Sequence, residues 1–304
     1  MAHIRIGTRS SPLAQWQANW VADQLRALGA TVELVAITTQ GDVQQRGPVG
    51  AIGLQGVFTK EIQSAVLAGE VDVAVHSLKD LPTETVAGLV IAAVPPRESS
   101  ADALVTRRAK SLADLPTGAR VGTGSLRRQA QLKHLRPDLE IAGIRGNVDT
   151  RLRKLRDGQY DAIVLASAGL RRLGLQQQIV ELLEPPRMLP APGQGALALE
   201  CRADAGDVRE LLSRLDDPNS RQAIDAERSM LALLHAGCSA PVGAWARLTG
   251  EQLALDGLVA DLEGANVLTA TASGAAATAA KIGRKVAEQL LAQGAGEIIA
   301  AARG

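Results

Sequence analysis

Over roughly the first two-thirds of the chain, short apolar runs alternate with longer stretches of helical spacing. "HIRIG" opens the chain as a strand. From Ser11 the apolar positions Leu13, Trp16, Trp20, Leu25 and Leu28 keep helical spacing until Gly29 stops the helix. "TVELVAIT" alternates as a strand, and "TKEIQSAVLAGEVDVAVHS" reads as helix, glycine stop and strand. This β-α-β-α-β order predicts an α/β lobe with a largely parallel sheet.

The pattern then restarts. "ARVGTGSLRRQAQLKHL" is strand, Gly-Thr turn and helix, and "LEIAGIRGNVDTRLRKLRDGQYDAIVLAS" continues β-α-β. Ile6-Gly7-Thr8-Arg9-Ser10 echoes Val121-Gly122-Thr123-Gly124-Ser125, and Gly69-x-x-Asp72 echoes Gly158-x-x-Asp161, each before a strand. The period is far too long for a solenoid; it predicts two lobes of similar build facing each other across a cleft. "EPPRMLPAPGQGALALECR" is a Pro/Gly-rich connection and a late strand that can rejoin the first lobe. After His235 the character changes: "VGAWARLTGEQLALDGLVA" and "NVLTATAS" read as a strand meander, and the Ala-rich run from Gly274 as helices. The expected division is a first lobe over 1–95 with 191–216, a second over 96–190, and an α+β domain over 217–304.

Composition narrows the class. With 304 residues and 46% apolar content the chain is globular and multidomain. Aromatics are 2%, so Leu, Val, Ile and Ala must build the cores. Two cysteines make no disulfide framework, and the N-terminus lacks the apolar segment of a signal peptide. No run approaches the ~20 apolar residues of a membrane span. These features point to a soluble cytoplasmic protein, and the lack of a long exposed apolar stripe points to a monomer.

Net charge is +1, yet Arg120–Arg172 holds twelve Lys or Arg against five Asp or Glu, leaving the rest of the chain at −6. Arg153, Lys154 and Arg156 read as a solvated helix face. Arg127 and Arg128 fall in a first helical turn, where the macrodipole disfavours cations by about 0.3–1 kcal/mol. Two arginines there make sense if something anionic occupies the site, and the amides after Gly122-Thr123-Gly124 add donors. Arg145, Arg151 and Arg9 sit at or just after strand-to-helix turns, the edge that α/β sheets offer to ligands. Arginine suits bidentate carboxylate or phosphate binding, so the ligand expected is a small polyanion. A single-stranded nucleic acid would want aromatic platforms, and Tyr160 is the only aromatic in the basic segment. Neither a Walker A sequence nor a complete dinucleotide fingerprint appears.

Two further groups carry chemistry. Asp80, in "VAVHSLKDLPT", lies beyond a buried strand, where a carboxylate can stabilise a cation, shuttle a proton, or simply cap a turn. His76 beside it is either a general base or a structural residue. Cys238, in "LLHAGCSAPVGA", stands among residues too small to bury it, a thiol held out on a turn. Cys201, in "ALALEC", has the opposite surroundings and reads as structural. No spacing of His, Cys and carboxylates builds a metal site.

The stretches "IGTRSSPLAQWQA", "VDVAVHSLKDLPT", "VGTGSLRRQAQL", "IRGNVDTRL", "DAIVLASAGLRRLG", "LPAPGQGALALECR" and "HAGCSAPVGA", in this order, resemble the porphobilinogen deaminase (hydroxymethylbilane synthase) family along nearly the whole chain. The resemblance implies two lobes of the type II periplasmic-binding-protein kind plus a small α+β domain. It also implies a transferase of tetrapyrrole (haem and porphyrin) biosynthesis. In that family the cysteine matching Cys238 carries a dipyrromethane through a thioether. Porphobilinogen loses ammonia to an electrophilic azafulvene; four additions extend this primer, and hydrolysis releases the linear tetrapyrrole. The family's binding arginines fall on Arg9, Arg127, Arg128, Arg145, Arg151 and Arg172, and its polar contacts on Ser11, Ser77, Lys79, Thr123 and Ser125. Its catalytic aspartate falls on Asp80, with the proposed role of holding pyrrole N–H groups and stabilising the azafulvene. One departure stands out: "VGAIGLQGVF" has Ala51 and Gln55 where many members carry lysines before the phenylalanine matching Phe58.

Two other classes predict different chemistry. A plain anion-binding clamshell predicts no adduct on Cys238. A cysteine-nucleophile hydrolase predicts an imidazole partner such as His235.

Overall fold

A computed structural model describes residues 2–38, 59–237 and 240–303. In chain order the elements begin with β1 (His3–Thr8), α1 (Pro12–Ala27), β2 (Thr31–Ala36), α2 (Lys60–Leu67), β3 (Val73–Ser77), a 3-10 turn (Leu78–Asp80) and β4 (Leu89–Ala93). There follow β5 (Asp102–Thr106), β6 (Arg120–Gly122), α3 (Leu126–Leu135), β7 (Glu140–Ala142), α4 (Val148–Arg156), β8 (Ala162–Ala166), α5 (Ser167–Arg172) and β9 (Glu181–Leu183). The remainder is β10 (Leu197–Arg202), α6 (Gly206–Ser213), α7 (Pro218–Leu233), β11 (Val242–Thr249), β12 (Gln252–Ala260), β13 (Val267–Ala275), α8 (Ala279–Ala292) and α9 (Ala295–Ala301).

These elements form two compact units, Met1–Glu98 with Gly195–Arg221, and Ser99–Gln194 with Gln222–Gly304. The first holds a five-stranded sheet in the order β2-β1-β3-β10-β4. Strands β1, β2 and β3 are parallel, and β10 runs antiparallel to both its neighbours. The second unit repeats this plan as β7-β6-β8-β5-β9, with β5 the reversed strand. Both are mixed sheets of one α/β plan, each with a single reversed strand between the parallel strands and the edge.

The repeated Gly-x-x-Asp has a structural reason. Asp72 Oδ2 accepts from Arg5 N at 2.8 Å, and Asp161 Oδ2 accepts from Arg120 N at 2.8 Å. In each case the aspartate's own N–H also donates back to that arginine's carbonyl, at 2.8 and 2.9 Å. The motif therefore registers the third parallel strand of each sheet against the first.

Helix α1 begins where Ser11 caps it, its hydroxyl accepting from Ala14 N, with Pro12 in the first turn. Its buried face is Gln17, Ala18, Val21, Ala22 and Leu25, while Trp16 is exposed. Of the apolar set expected from spacing, Leu25 is buried and Trp20 packs at the edge of the core, while Gln17, Ala18, Val21 and Ala22 make up the rest of the buried face. Small side chains let the helix lie close to β1 and β3, and the tryptophans fall to the margin.

The C-terminal part is the antiparallel meander β11-β12-β13, covered by α7, α8 and α9. It joins the second unit through α3: Ala130, Leu189, Leu258 and Ala260 form one apolar cluster, and the Gly264 carbonyl lies 3.0 Å from His134 Nδ1. Helix α8 crosses α7 at Gly283, where a Cβ would fall 2.2 Å from the Ala226 carbonyl oxygen and 2.9 Å from Ser229 Cβ. Because that contact includes backbone, Gly283→Ala is expected to cost at least the ~1–3 kcal/mol of core overpacking. A lowered thermal midpoint by calorimetry is the readout; an unchanged midpoint would show that the helices part freely.

Candidate active site

In the first unit, the loop after β1, the start of α1 and the end of β3 meet in one pocket. Arg9, Ser11, Gln17, His76, Ser77 and Asp80 line it. They meet because parallel β1 and β3 are neighbours and release their C-terminal ends on the same edge. Gln17 Nε2 donates to Ser77 Oγ at 2.8 Å, tying helix to strand. The 3-10 turn then carries Lys79, half-buried, and Asp80, exposed. The Asp80 carboxylate makes no side-chain hydrogen bond among the described residues, so it is available to a ligand.

In the second unit, the β6–α3 turn holds Thr123 and Ser125. Thr123 is buried, its Oγ1 accepts from Ser125 N at 3.2 Å, and Ser125 caps α3 by accepting from Arg128 N. The arginines that follow turn inward. Arg127 is 3% exposed, Arg128 5%, and both grip Asp102, which is 0% exposed. Arg127 Nη1 donates to Asp102 Oδ2 at 2.7 Å; Arg128 Nε and Nη2 donate to Oδ1 at 2.9 and 2.7 Å. Gln194 Nε2 adds a bond to the same oxygen at 2.9 Å, and the carbonyls of Leu189 and Val164 take further guanidinium N–H groups. Part of the anionic environment expected for these arginines thus comes from the protein itself.

Burial alone would raise the Asp102 pKa, but the charges and hydrogen bonds of Arg127 and Arg128 outweigh it and hold this carboxyl well below the usual carboxylate range. Burial pushes the Arg127 guanidinium down, against the pull of Asp102. Asp102→Asn should destabilise the protein by about 3–5 kcal/mol, because two guanidiniums then lie buried without a counter-charge. The pH dependence follows from the sign of the shift. A depressed folded pKa contributes stability that is complete above the unfolded value near 3.9 and is lost as pH falls toward the folded one. Urea unfolding of wild type and variant should therefore differ most near neutrality and converge in acid. A constant gap across that range would remove Asp102 from the acid response.

The remaining basic residues mark the next strand-to-helix turn. Gly146 adopts φ +111°, and a Cβ there would meet Thr150 Cγ2 at 2.6 Å, so "IRGN" needs its glycine. Asn147 then caps α4 by accepting from Thr150 N at 2.9 Å. Arg145 and Arg151 flank this turn, both half-buried, with Arg151 Nε donating to the Gly146 carbonyl at 2.7 Å. Arg172 closes α5, also half-buried. Cys238, and Ala51, Gln55 and Phe58 of the altered loop, lie outside the described residues. Cys201 is fully buried, and that burial pushes its thiol up to about 11, too high for a ready nucleophile.

Sequence reading named His76 but missed Asp102 and the buried partners of that histidine, Glu200 and Gln63. "SADALVT" held a signal for the first: an aspartate heading an apolar strand, which when buried demands a cationic partner. For the second there was no local signal, since Glu200 arrives from far along the chain.

The family described as porphobilinogen deaminase, dipyromethane cofactor binding domain, matches residues 4–210, and the porphobilinogen deaminase C-terminal domain matches 222–292. The chain belongs to the porphobilinogen deaminase family. The porphobilinogen deaminase of Syntrophobacter fumaroxidans is 49% identical over 298 residues, covering 97% of this chain and 96% of the relative. That of Roseiflexus castenholzii is 50% identical over 299 residues, covering 98% of each. Among solved structures, a nutrient binding protein from Burkholderia cenocepacia bound to methionine has a TM-score of 0.45 at 18% identity, over 73% of this chain and 95% of that one.

The dipyrromethane that this family's first domain is named for has carboxylate side arms, and the second unit has a feature that suits one. Two guanidiniums face one carboxylate in the Asp102 cluster, and the buried Arg127 Nε makes no hydrogen bond among the described residues. One positive charge and one donor remain for an anionic guest.

Proposed function

We propose that the protein is a transferase that joins porphobilinogen units, with loss of ammonia, on a dipyrromethane linked to Cys238, and releases hydroxymethylbilane by hydrolysis. The observation that carries this reading is the family match along almost the whole chain, with each motif arginine and Asp80 present. When bound, the dipyrromethane supplies the free pyrrole α-carbon at which growth occurs.

The chain's own residues divide the remaining work. Arg9, Ser11, Ser77 and Lys79, around the pocket of the first unit, hold carboxylates and the polar edge of a pyrrole. Arg127, Arg128, Arg145, Arg151 and Arg172, with Thr123 and Ser125, hold acetate and propionate groups of the primer and the growing product. The Asp80 carboxylate accepts pyrrole N–H groups and faces the positive charge that develops when ammonia departs. Cys238 anchors the product through its sulfur. The protein acts as a monomer in the cytoplasm and needs no nucleic-acid partner. No helix among the described residues is long and apolar enough to cross a membrane.

The test is incubation of the purified protein with porphobilinogen, measuring ammonia and the linear tetrapyrrole together. Release of both in constant proportion is expected. Binding of porphobilinogen with no ammonia released would leave a carboxylate-binding protein without the transferase activity.

A further inference from the structure

One buried titratable pair has no part in the reading above, although its histidine is among the residues that line the Asp80 pocket. His76, on β3, and Glu200, on β10, are each 4% exposed. The antiparallel register sets Ala198 opposite His76 and Glu200 opposite Ala74, which puts residues 76 and 200 on the same face as diagonal neighbours. His76 Nε2 lies 3.1 Å from Glu200 Oε2, and Gln63 Nε2, from α2, lies 3.1 Å from both carboxyl oxygens. With the Gln63 amide donating toward both of its oxygens, Glu200 is assigned as the acceptor and the imidazole nitrogen facing it as the N–H. In the neutral ring Nδ1 then keeps its lone pair. That nitrogen makes no hydrogen bond among the described residues, and His76 is among the residues that line the pocket with Arg9, Ser77 and Asp80. An imidazole with one nitrogen fixed by a carboxylate and the other bare is the arrangement of an oriented general base.

We propose that His76 is the base that takes up the α-proton lost at each addition, and that Glu200 is the positioning residue that fixes its tautomer and orientation. The proposal rests on the porphobilinogen chemistry proposed above. When the free α-carbon of a pyrrole bonds the electrophilic methylene of the incoming unit, that carbon carries both the new bond and its hydrogen, and its ring is cationic. The C–H bond breaks, its electron pair restores the aromatic ring, and the proton goes to His76 Nδ1. The imidazolium is held beside Glu200 until it passes the proton to the ammonia already released by that unit. No further reactant is required. Asp80 keeps its negative charge toward the cation throughout, which separates the stabilising carboxylate from the proton acceptor.

Nitrogen-15 NMR of histidine-labelled protein tests the geometry without any turnover. The chain has four histidines, and His76→Gln assigns the signals of His76 by their loss. Near neutral pH the expected ring has Nε2 protonated and Nδ1 bare, and Glu200→Gln disturbs that pattern. A proton on Nδ1 with Nε2 bare, or a ring carrying both protons, overturns the proposal.

Kinetics test the step with porphobilinogen deuterated at its free α-carbon. Turnover should fall about 100-fold or more in His76→Gln, as for loss of a general base, and less in Glu200→Gln. Deuterium should slow both variants more than it slows wild type, which a merely structural lesion would not do. Lost rate without greater sensitivity to deuterium, or a sensitivity that appears in Asp80→Asn instead, overturns it. If His76→Gln does not fold, Glu200→Gln carries the same comparison. Intact masses separate the two levels of inference. A wild-type chain without the primer removes the underlying reading, whereas a loaded wild type with variants insensitive to deuterium removes this proposal alone.

Discussion

Replacing Cys238 with serine should remove a mass excess of two pyrrole units from the purified protein and abolish tetrapyrrole formation. A hydroxyl in place of the thiol is a far weaker nucleophile at neutral pH, because only the sulfur reaches its reactive anionic form in useful amount. Intact-mass measurement of wild type and variant, both made in cells able to produce porphobilinogen, is the check. The other cysteine offers no substitute: Cys201 is sealed inside the first sheet and its thiol is pushed up to about 11 by burial. A bare polypeptide mass in wild type would leave a protein that binds anions and builds nothing on itself.

Asp80→Ala should lower turnover by about 10²–10⁴-fold, the range in which positioned acid–base or charge-stabilising groups act. Stability should barely move. The carboxylate is exposed at the end of a 3-10 turn and makes no side-chain hydrogen bond among the described residues, and surface changes of this kind stay within about 0.5 kcal/mol. Turnover and urea unfolding measured on the same preparation separate the two effects. Full activity would remove Asp80 from the chemistry, while a large loss of stability would show a structural anchor instead. Asp80 thus contrasts with Asp102, whose replacement is expected to show first as lost stability.

Much of the fold was legible because its signals are local. Alternating runs such as "HIRIG" and "DVAVHS" announce strands, and a glycine after each helical stretch announces its stop. The repeated Gly-x-x-Asp disclosed two sheets of one plan before either was seen, since each aspartate performs the same registration against the first strand of its sheet. The face of α1 was only partly legible. Spacing marked the tryptophans, and the sheet accepted alanine and valine instead, because how closely a helix approaches a sheet is decided by what lies opposite.

The candidate site divides in the same way. The sequence by itself determined its chemical inventory: arginines at strand-to-helix turns, an aspartate beyond a strand, and a thiol among small residues, each set by the residues next to it. Only the tertiary structure decided which charges are buried and against what. Arg127 and Arg128 resemble their neighbours Arg145 and Arg151 in sequence, yet they are buried against Asp102, which lies 25 and 26 residues away. His76 acquires Glu200 from 124 residues along the chain, because β10 returns antiparallel beside β3. A charge is read from one residue, but its partner, its exposure and its proton are set by strand order, which no short stretch of sequence contains.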